Sequence, residues 1–231
     1  LRRLENKMHN PTYSFRNYRP SDFDKYIKFN IEAERLEPTR QCSSPGVIHE
    51  KLGRPNYSPE QDLFVVETNG KIVGFMNITP ELISRRVILD CLVHPEHRKK
   101  SLAKELLDYA IQRAKELKIK VARINIREDN VTAKSVLPRL GFIPVRQFLE
   151  LRLTLADVHL PSITSQTYSY RHLQPGEEDK LTQIQNRSFA GNWEYNPNTT
   201  ESIVYFTNLS HHSPEDVILI CDGDKLAGYC W

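Results

Sequence analysis

Apolar residues in the middle of the chain follow two different periodicities, which predict a strand followed by a long helix. Residues 87–93 form a near-continuous apolar run, as expected of a strand covered on both faces. From Leu102 onward apolar residues recur every three or four positions, which predicts a helix with one buried face. That face comprises Leu102, Leu106, Leu107, Ala110, Ile111, Ala114 and Leu117. The polar segment between them is therefore a strand–loop–helix turn.

The turn is cationic, because Arg98, Lys99 and Lys100 follow one another. A helix N-terminus also directs free backbone N–H groups toward whatever lies in front of it. The pattern therefore predicts an anionic ligand, and a pyrophosphate fits it well. The alternative is a solvated basic loop at a helix start, which the turn alone does not exclude.

Two linked motifs strengthen the first interpretation. Residues 120–126 predict a further strand, and a short second helix follows it. Together these segments resemble the GNAT superfamily of N-acetyltransferases, whose pattern is V-x-P-x-x-[RQ]-x-x-G-x-[GA], helix, strand, N-x-x-A-x-x-x-Y-x-x-x-G-F. The matching residues are Val93, Pro95, Arg98, Ala103, Asn130, Ala133, Gly141 and Phe142. The resemblance covers roughly residues 13–153.

The resemblance implies an α/β (α+β) GNAT fold: a central, mixed, mostly antiparallel twisted sheet flanked by helices. It implies acetyl-CoA as cosubstrate, with backbone donors of the fourth strand receiving the thioester and pantetheine. The cofactor-binding residues it implies are Cys91, Leu92, Val93, Arg98, Lys99, Lys100, Ser101, Leu102, Ala103, Asn130 and Lys134. For Asn130 and Lys134 the alternatives are a plain helix-starting residue and an exposed helix lysine.

The sequence departs from the family pattern at two positions. Ser101 stands where the first motif glycine is expected, which adds a side chain where backbone approaches phosphate. Leu137 stands where a tyrosine often protonates the leaving thiolate, and leucine cannot donate a proton. Pro138 follows it and predicts a distorted helix there. Acetyl-CoA binding is thus better supported than acetyl transfer.

Asp90 is the carboxylate of the predicted fourth strand and the candidate catalytic base. Its alternative is an ion pair with Arg85 or Arg86. Glu67 is a weaker candidate, and a turn-flanking surface charge explains it better. Cys91 is a disfavoured nucleophile, because burial in apolar surroundings raises a thiol pKa. The segment from residue 37 to residue 58 is expected to cover the acceptor side.

The chain also repeats its own beginning. Tyr13-Ser14-Phe15-Arg16 recurs as Tyr168-Ser169-Tyr170-Arg171, an offset of 155 residues. Asp62, Lys71, Gly74 and Phe75 recur at an offset of 154 as Asp216, Lys225, Gly228 and Tyr229. A repeat this long indicates duplicated domains.

We therefore expect a complete GNAT acetyl-CoA-binding domain at residues 1–155, a linker at 156–167, and the N-terminal half of a second GNAT domain at 168–231. Tandem GNAT proteins share this organisation, and the chain distantly resembles the mycothiol synthases among them. Phe189, Trp193 and Tyr195 either line an acceptor pocket or pack between the two halves.

Composition narrows the possible functions. The net charge of +3 and the lack of a sustained basic face argue against nucleic-acid binding. Four scattered cysteines do not form a disulfide framework, and Cys221 and Cys230 are not expected to face each other. No apolar run reaches membrane-spanning length, so a cytoplasmic location without membrane contact is expected. His94 and His97 have no further ligands nearby, and no metal is expected.

The first functional hypothesis is an N-acetyltransferase that moves an acetyl group from acetyl-CoA to a primary amine of a small molecule or peptide by direct attack. The alternative is a catalytically silent acyl-CoA-binding domain with a structural or regulatory role, with catalysis in a second copy. The sequence specifies neither the acceptor nor the oligomeric state.

Overall fold

The computed structural model describes residues 12–37, 44–98, 101–154, 156, 158 and 168–231. Its strands form a five-stranded sheet in the order β1-β2-β3-β4-β5 and a three-stranded sheet in the order β6-β7-β8. The strands are β1 Ser14–Asn17, β2 Leu63–Thr68, β3 Lys71–Glu81, β4 Arg86–Val93, β5 Val121–Ile124, β6 Ser169–His172, β7 Ile218–Asp222 and β8 Lys225–Cys230. The helices are α1 Phe23–Leu36, α2 Pro45–Leu52, α3 Pro59–Asp62, α4 Leu102–Glu116, α5 Val131–Val136, α6 Glu178–Phe189 and α7 Thr200–Thr207.

The larger sheet is mixed. β1 to β4 pair antiparallel in chain order, and β5 pairs parallel with β4 after the α4 crossover. Such a connection needs a helix to return the chain to the same end of the sheet. The sequence therefore correctly predicted the α/β GNAT fold, a mixed and mostly antiparallel sheet flanked by helices.

Alternating side chains along the central strands build two separate cores, one on each face of the larger sheet. Val87, Leu89 and Val93 of β4 belong to the core beneath α4. Leu92 packs on the opposite face, in the core beneath α1 and α2. Because successive strand residues point to opposite faces, Asp90 and Cys91 belong to different sides of the molecule.

One detail of the helix prediction was wrong. Ile111 was expected on the buried face of α4, but it is 41% exposed. The buried residues of this helix are Leu102, Leu106, Leu107 and Ala110. The helix packs mainly over β2, β3 and β4, which cover a narrower stripe than the apolar pattern spans.

The smaller sheet has local geometry that matches the start of the larger one. A register shift lies between Val66 and Glu67 of β2, and another lies between Ile220 and Cys221 of β7. Arg16 forms a paired hydrogen bond to Asp22, and Arg171 forms one to Glu177. The smaller sheet packs its own core from Leu173, Leu181, Ile184, Ile203, Val217 and Leu219.

Among the residues that the structure describes, the two halves contact each other in two regions. Arg86 donates to the backbone oxygen and the carboxylate of Glu194, both at 2.9 Å. On the other side, the Tyr205 hydroxyl donates to the Glu50 backbone oxygen, and the Ser210 amide donates to the Glu50 carboxylate at 2.7 Å. The second contact joins α7 of the second half to α2 of the first half.

Residues 142–154 form no helix or paired strand, although three leucines alternate along them. Leu149, Leu151 and Leu153 are 82%, 89% and 71% exposed. The proposed linker at 156–167 lies almost entirely outside the described residues. Among the helices that are described, none has both the length and the apolar character that a membrane span requires.

Asp62 fastens the start of β2 to the last turn of α4. Its side chain is 3% exposed and accepts hydrogen bonds from the Ser58 amide at 2.9 Å and from Arg113 Nε at 2.8 Å. Removing one partner of a buried ion pair leaves the other uncompensated. The position of α4 therefore depends on this carboxylate.

We expect Asp62→Ala to lower the free energy of unfolding by about 3 kcal/mol, measured by urea denaturation. Asp216→Ala is the matched control, because Asp216 is exposed and caps the Ser213 amide at 2.7 Å without any arginine partner. The control loses a cap, which is worth about 1 kcal/mol. Equal losses in the two variants would contradict the tether between β2 and α4.

Candidate functional site

The central feature of the site is the point where β4 and β5 separate. Their parallel pairing runs from Arg86 opposite Val121 to Leu89 opposite Ile124. β4 continues to Val93 with β3 as its partner on the other side. The last four residues of β4 thus present an open backbone edge, and the predicted residues Cys91, Leu92 and Val93 lie on it. Unpaired backbone groups on such an edge need a partner.

The N-terminus of α4 lies just beyond the open edge. Its cap residue, Ser101, adopts the left-handed conformation with φ 58°, and its side chain forms no cap hydrogen bond. The Lys104 and Glu105 amides donate to the Ser101 oxygen and begin the helix. Helix geometry leaves the amides of Leu102 and Ala103 without an intrahelical acceptor. These predicted residues therefore supply donors that suit an anion.

Arg98 holds the loop between β4 and α4 in place. Its Nε donates to the Val93 oxygen at 3.1 Å, and its two terminal nitrogens donate to the Glu37 carboxylate at 2.6 Å each. The Arg98 guanidinium holds the pKa of Glu37 below its ordinary value. Arg98 thus forms hydrogen bonds with two other residues of the protein, Val93 and Glu37. Lys99 and Lys100 lie outside the described residues.

Two histidines fasten the same loop. The Tyr13 hydroxyl lies 2.9 Å from His97 Nδ1, and the Glu96 amide donates to His94 Nδ1 at 3.3 Å. The His94 Nε2 lies 3.8 Å from Glu32. Within the described residues, no group of three or more His, Cys, Asp or Glu side chains is arranged to hold a metal ion.

Asn130 and Lys134 make local contacts. The Asn130 side chain accepts from the Ala133 amide at 2.9 Å and caps α5, and Lys134 pairs with Glu128. Both observations match the plain structural alternatives for these residues. At Leu137 the α-helix gives way to a tighter helical turn that contains Pro138, as the sequence predicted.

Asp90 lies on the opposite face of β4, in a small cavity under α1 and α2. The cavity has a volume of about 70 Å³. Burial raises the pKa of the Asp90 carboxyl, while the positive charges of Lys51 and Arg54 act in the opposite direction. Arg86 binds Glu81 and Glu194, so the predicted alternative of an Asp90–Arg86 pair does not form.

Polar side chains from two further segments meet in this cavity, and the sequence analysis did not identify them. Asn77 is the register partner of Asp90 on the adjacent strand. Its side-chain oxygen accepts from the Tyr57 hydroxyl at 2.8 Å and from Arg54 Nη2 at 3.2 Å. Lys51 also lines the cavity. Lys51, Arg54 and Tyr57 belong to the segment that was expected to cover the acceptor side.

The remaining candidates have other environments. Glu67 binds Arg16 at 2.7 Å and Lys25 at 3.0 Å, and these cations hold its pKa low, Arg16 being the stronger cause. Burial and the nearby Asp90 charge raise the pKa of Cys91 to about 12. Neither group is suited to accept a proton or attack at neutral pH.

The aromatic residues of the second half lie elsewhere. Trp193 lies 4.2 Å from the Arg123 guanidinium and also contacts Phe148. Phe189 stacks on Tyr195. None of the three aromatic residues named in the sequence analysis lines the Asp90 cavity. Trp193 instead packs between the halves, the second of the two alternatives.

Residues 28–142 match the acetyltransferase (GNAT) family. The chain is 25% identical over 186 residues to a mycothiol acetyltransferase of Pseudarthrobacter chlorophenolicus, a match that spans 79% of this chain and 56% of the relative. It is 26% identical over 172 residues to the mycothiol acetyltransferase of Segniliparus rotundus, over 73% of this chain and 63% of that protein. The chain thus spans about half to two thirds of these relatives.

A solved structure resembles both halves of the chain. The crystal structure of a GCN5-related N-acetyltransferase from Sphaerobacter thermophilus superposes with a TM-score of 0.68 and 16% identity. The match covers 94% of this chain and 70% of that one, so it includes both sheets. At this identity the similarity concerns the fold.

We expect Ser101→Gly to stabilise the α4 N-terminus. The left-handed conformation disfavours a residue with a Cβ by about 1 kcal/mol, and the serine side chain contributes no cap that would be lost. Calorimetry should show CoA binding that is equal or tighter, by up to about fivefold. Lys118→Gly is the control, because Lys118 also has a positive φ of 56° but follows the other end of α4. Weaker binding in Ser101→Gly alone would show that the hydroxyl itself contacts the ligand.

We expect Arg98→Glu to weaken CoA binding by about tenfold, because it breaks the Glu37 pair and places an anion beside the loop. The double variant Arg98→Glu with Glu37→Arg restores the pair with its charges exchanged. Recovery of binding in the double variant would show that Arg98 acts by holding the loop. Continued weak binding would show that the guanidinium itself contacts the phosphates.

Proposed function

We propose that the chain, whose residues 28–142 match the acetyltransferase (GNAT) family, transfers an acetyl group from acetyl-CoA to a primary amine of a small molecule or peptide by direct attack. The observation that supports this most strongly is the juxtaposition of the open β4 edge with the uncapped N-terminus of α4. Acetyl-CoA is the cosubstrate of the family, and its pyrophosphate suits the amides of Leu102 and Ala103.

The open edge of β4 and the N-terminus of α4 are proposed to bind different parts of the coenzyme. In our proposal the helix amides receive the diphosphate, and the edge from Cys91 to Val93 receives the amide-containing pantetheine arm. Arg98 and the two histidines of the loop fix the distance between these two groups of donors. Preformed backbone donors of this kind need no reorganisation when charge develops on a substrate oxygen.

Asp90 is the proposed general base. The Asp90 carboxylate takes one proton from the ammonium, directly or through water, and the neutral amine attacks the thioester carbon. The carbon–sulfur bond then breaks, and the thiolate takes up the second proton that the nitrogen releases, so that CoA leaves as the thiol. A raised pKa suits this task, because a stronger base accepts the proton more readily. No covalent enzyme intermediate is involved, since the Cys91 thiol with its pKa of about 12 stays protonated.

A silent acyl-CoA-binding domain is the second candidate, and one observation favours it. Leu137 occupies the position from which a family tyrosine often protonates the thiolate, and the helix changes its geometry there. On this alternative, residues 13–153 hold the coenzyme, and turnover belongs to a second copy.

We also propose that residues 168–231 are the N-terminal half of a second GNAT domain, joined by a linker at 156–167 to the domain at 1–155. The matching register shifts in β2 and β7 support this organisation. The equivalent arginine–carboxylate pairs, Arg16–Asp22 and Arg171–Glu177, support it as well.

Calorimetry with acetyl-CoA and with CoA, followed by thiol release over a panel of primary amines, tests the two candidates. Binding together with amine-dependent thiol release supports the transferase. Binding without release on any amine supports the silent domain. Binding of neither ligand would overturn both.

We expect Asp90→Asn to lower kcat about 100-fold while CoA binding is unchanged. In the wild type the rate should rise with pH through the raised pKa of Asp90, because only the carboxylate form accepts a proton. Asp24→Asn, at an exposed position in the first turn of α1, is the control and should retain full activity. Unchanged kcat in Asp90→Asn would remove the base assignment.

The same variant should also gain stability at neutral pH. Since the pKa of Asp90 is higher in the folded protein than in the unfolded chain, the folded state binds the proton more tightly. Stability therefore falls as pH rises from the unfolded pKa through the folded one. Asparagine does not ionise, so Asp90→Asn avoids the stability that the wild type loses when Asp90 becomes charged. Urea denaturation at pH 7 should therefore show a higher free energy of unfolding than in the wild type.

A further inference from the structure

The Asp90 cavity is lined by one carboxylate and by two cations, Lys51 and Arg54, and Arg54 does not contact the carboxylate. Asp90 lies on β4, and Arg54 enters from the segment after α2. The described residues supply no hydrogen bond between them and no carboxylate that forms an ion pair with Arg54. Asp90 is exposed at the open side of the cavity, whereas the half-buried Arg54 lacks the carboxylate partner that a desolvated charge normally has.

Arg54 has an unsatisfied donor. Its Nη2 donates to Asn77 at 3.2 Å, and its guanidinium stacks 3.9 Å from the centre of the Tyr57 ring. Its Nε is buried and has no hydrogen-bond partner. A planar guanidinium with a spare N–H is suited to a carboxylate, which accepts paired hydrogen bonds from it.

The contacts of Asn77 fix the direction of this arginine. Its side-chain oxygen accepts from both the Tyr57 hydroxyl and Arg54, so it holds the two side chains together. Asn77 also lies directly opposite Asp90 across the β3–β4 ladder. Opposed residues on one sheet face have side chains about 5 Å apart. The arginine is therefore held near the carboxylate without reaching it.

Size restricts what fits between the two charges. One water-sized probe occupies about 10–15 Å³ of such a volume. The cavity of about 70 Å³ therefore admits a group of about six non-hydrogen atoms. The amino and carboxylate groups of an α-amino acid, with the carbon atom between them, fit this space, and the rest of a larger ligand would extend through the open side where Asp90 and Lys51 are exposed.

We propose that the acceptor is a small α-amino acid, or a molecule that ends in one, whose ammonium lies against Asp90 and whose carboxylate lies against Arg54. This inference rests on the proposed function, since Asp90 is the base that takes the proton from the same nitrogen. Lys51 also lines the cavity, close enough to Asp90 for its positive charge to stabilise the carboxylate form. In this proposal the pocket selects its substrate by two oppositely charged groups that are attached to the same carbon atom.

Four ligands of nearly equal size distinguish the contribution of the ammonium group from that of the carboxylate group. They are alanine, alaninamide, ethylamine and propionate. Each is titrated into the CoA-bound protein, and binding is followed by ligand-observed NMR. We expect alanine to bind at least tenfold more tightly than each of the other three, because each of them lacks one charge. Equal binding of alanine and ethylamine, or no binding of alanine, would overturn the proposal.

Arg54→Met removes the charge and keeps an unbranched side chain. It should weaken alanine binding at least tenfold and leave ethylamine binding within about twofold. Arg54→Lys, which keeps the charge but not the planar fork, should retain part of the alanine affinity. Arg35→Met, at an exposed site on α1, is the matched control and should bind alanine like the wild type. Equal loss of both ligands in a folded Arg54→Met protein would contradict a carboxylate contact.

Thiol release with the same amines separates this inference from the proposed function. Transfer to ethylamine as efficient as transfer to alanine would leave the transferase standing and overturn the amino-acid preference. Tight, Arg54-dependent alanine binding without any thiol release would support the pocket assignment and overturn the transferase.

Discussion

The separation of β4 from β5 after Leu89 is the constraint on which the rest of the site depends. Two parallel strands normally satisfy each other's backbone groups along their whole length, and here the pairing stops with half of β4 still to come. An open edge inside a sheet is unfavourable unless another molecule completes it. The amides at the start of α4 and the edge of β4 are adjacent along the chain and joined by a loop that several side chains hold. The site is therefore mainly a backbone structure, and most of its named residues matter through their main-chain conformation.

Because side chains alternate along a strand, neighbouring residues of β4 lie on opposite faces of the sheet. Cys91 packs beside the α4 core, whereas Asp90 faces the cavity under α1 and α2. A ligand along the open edge of β4 lies between these faces, so a donor bound from one side can meet an acceptor that enters from the other. The asymmetry also explains why Cys91 and Asp90, neighbours in sequence, have different roles: one is an inert buried thiol and the other a carboxyl group in a polar cavity.

Local patterns predicted the elements well, because each of them is determined by residues close together in the chain. The apolar run of β4, the periodicity of α4 and the Asn130 cap are all local features, and the structure contains them. The role of Arg98 was not predictable in the same way, since its partner Glu37 is 61 residues away in sequence. The polar residues around Asp90 were missed for a similar reason. Arg54, Asn77 and Asp90 come from three segments, and only the β3–β4 register brings them together. The exposure of Ile111 likewise depends on which strands lie beneath the helix.

Comparison of the two halves separates residues that the fold needs from residues that the cavity needs. If residues 168–231 repeat the first half, Arg16 corresponds to Arg171 and Ile48 to Ile203, and both pairs keep their ion pair or burial. Two charged residues of the cavity are not kept in the second half. At the same offset of 155 residues, Lys51 corresponds to Phe206 and Arg54 to Leu209. The second half thus carries apolar residues at these two positions, Phe206 being 40% exposed and Leu209 half-buried. Arg54, with a buried donor left unsatisfied and its pKa lowered by burial, makes the first half less favourable to fold than leucine would. A half-buried cation at a position where the second half has leucine agrees with the ligand contact proposed for Arg54.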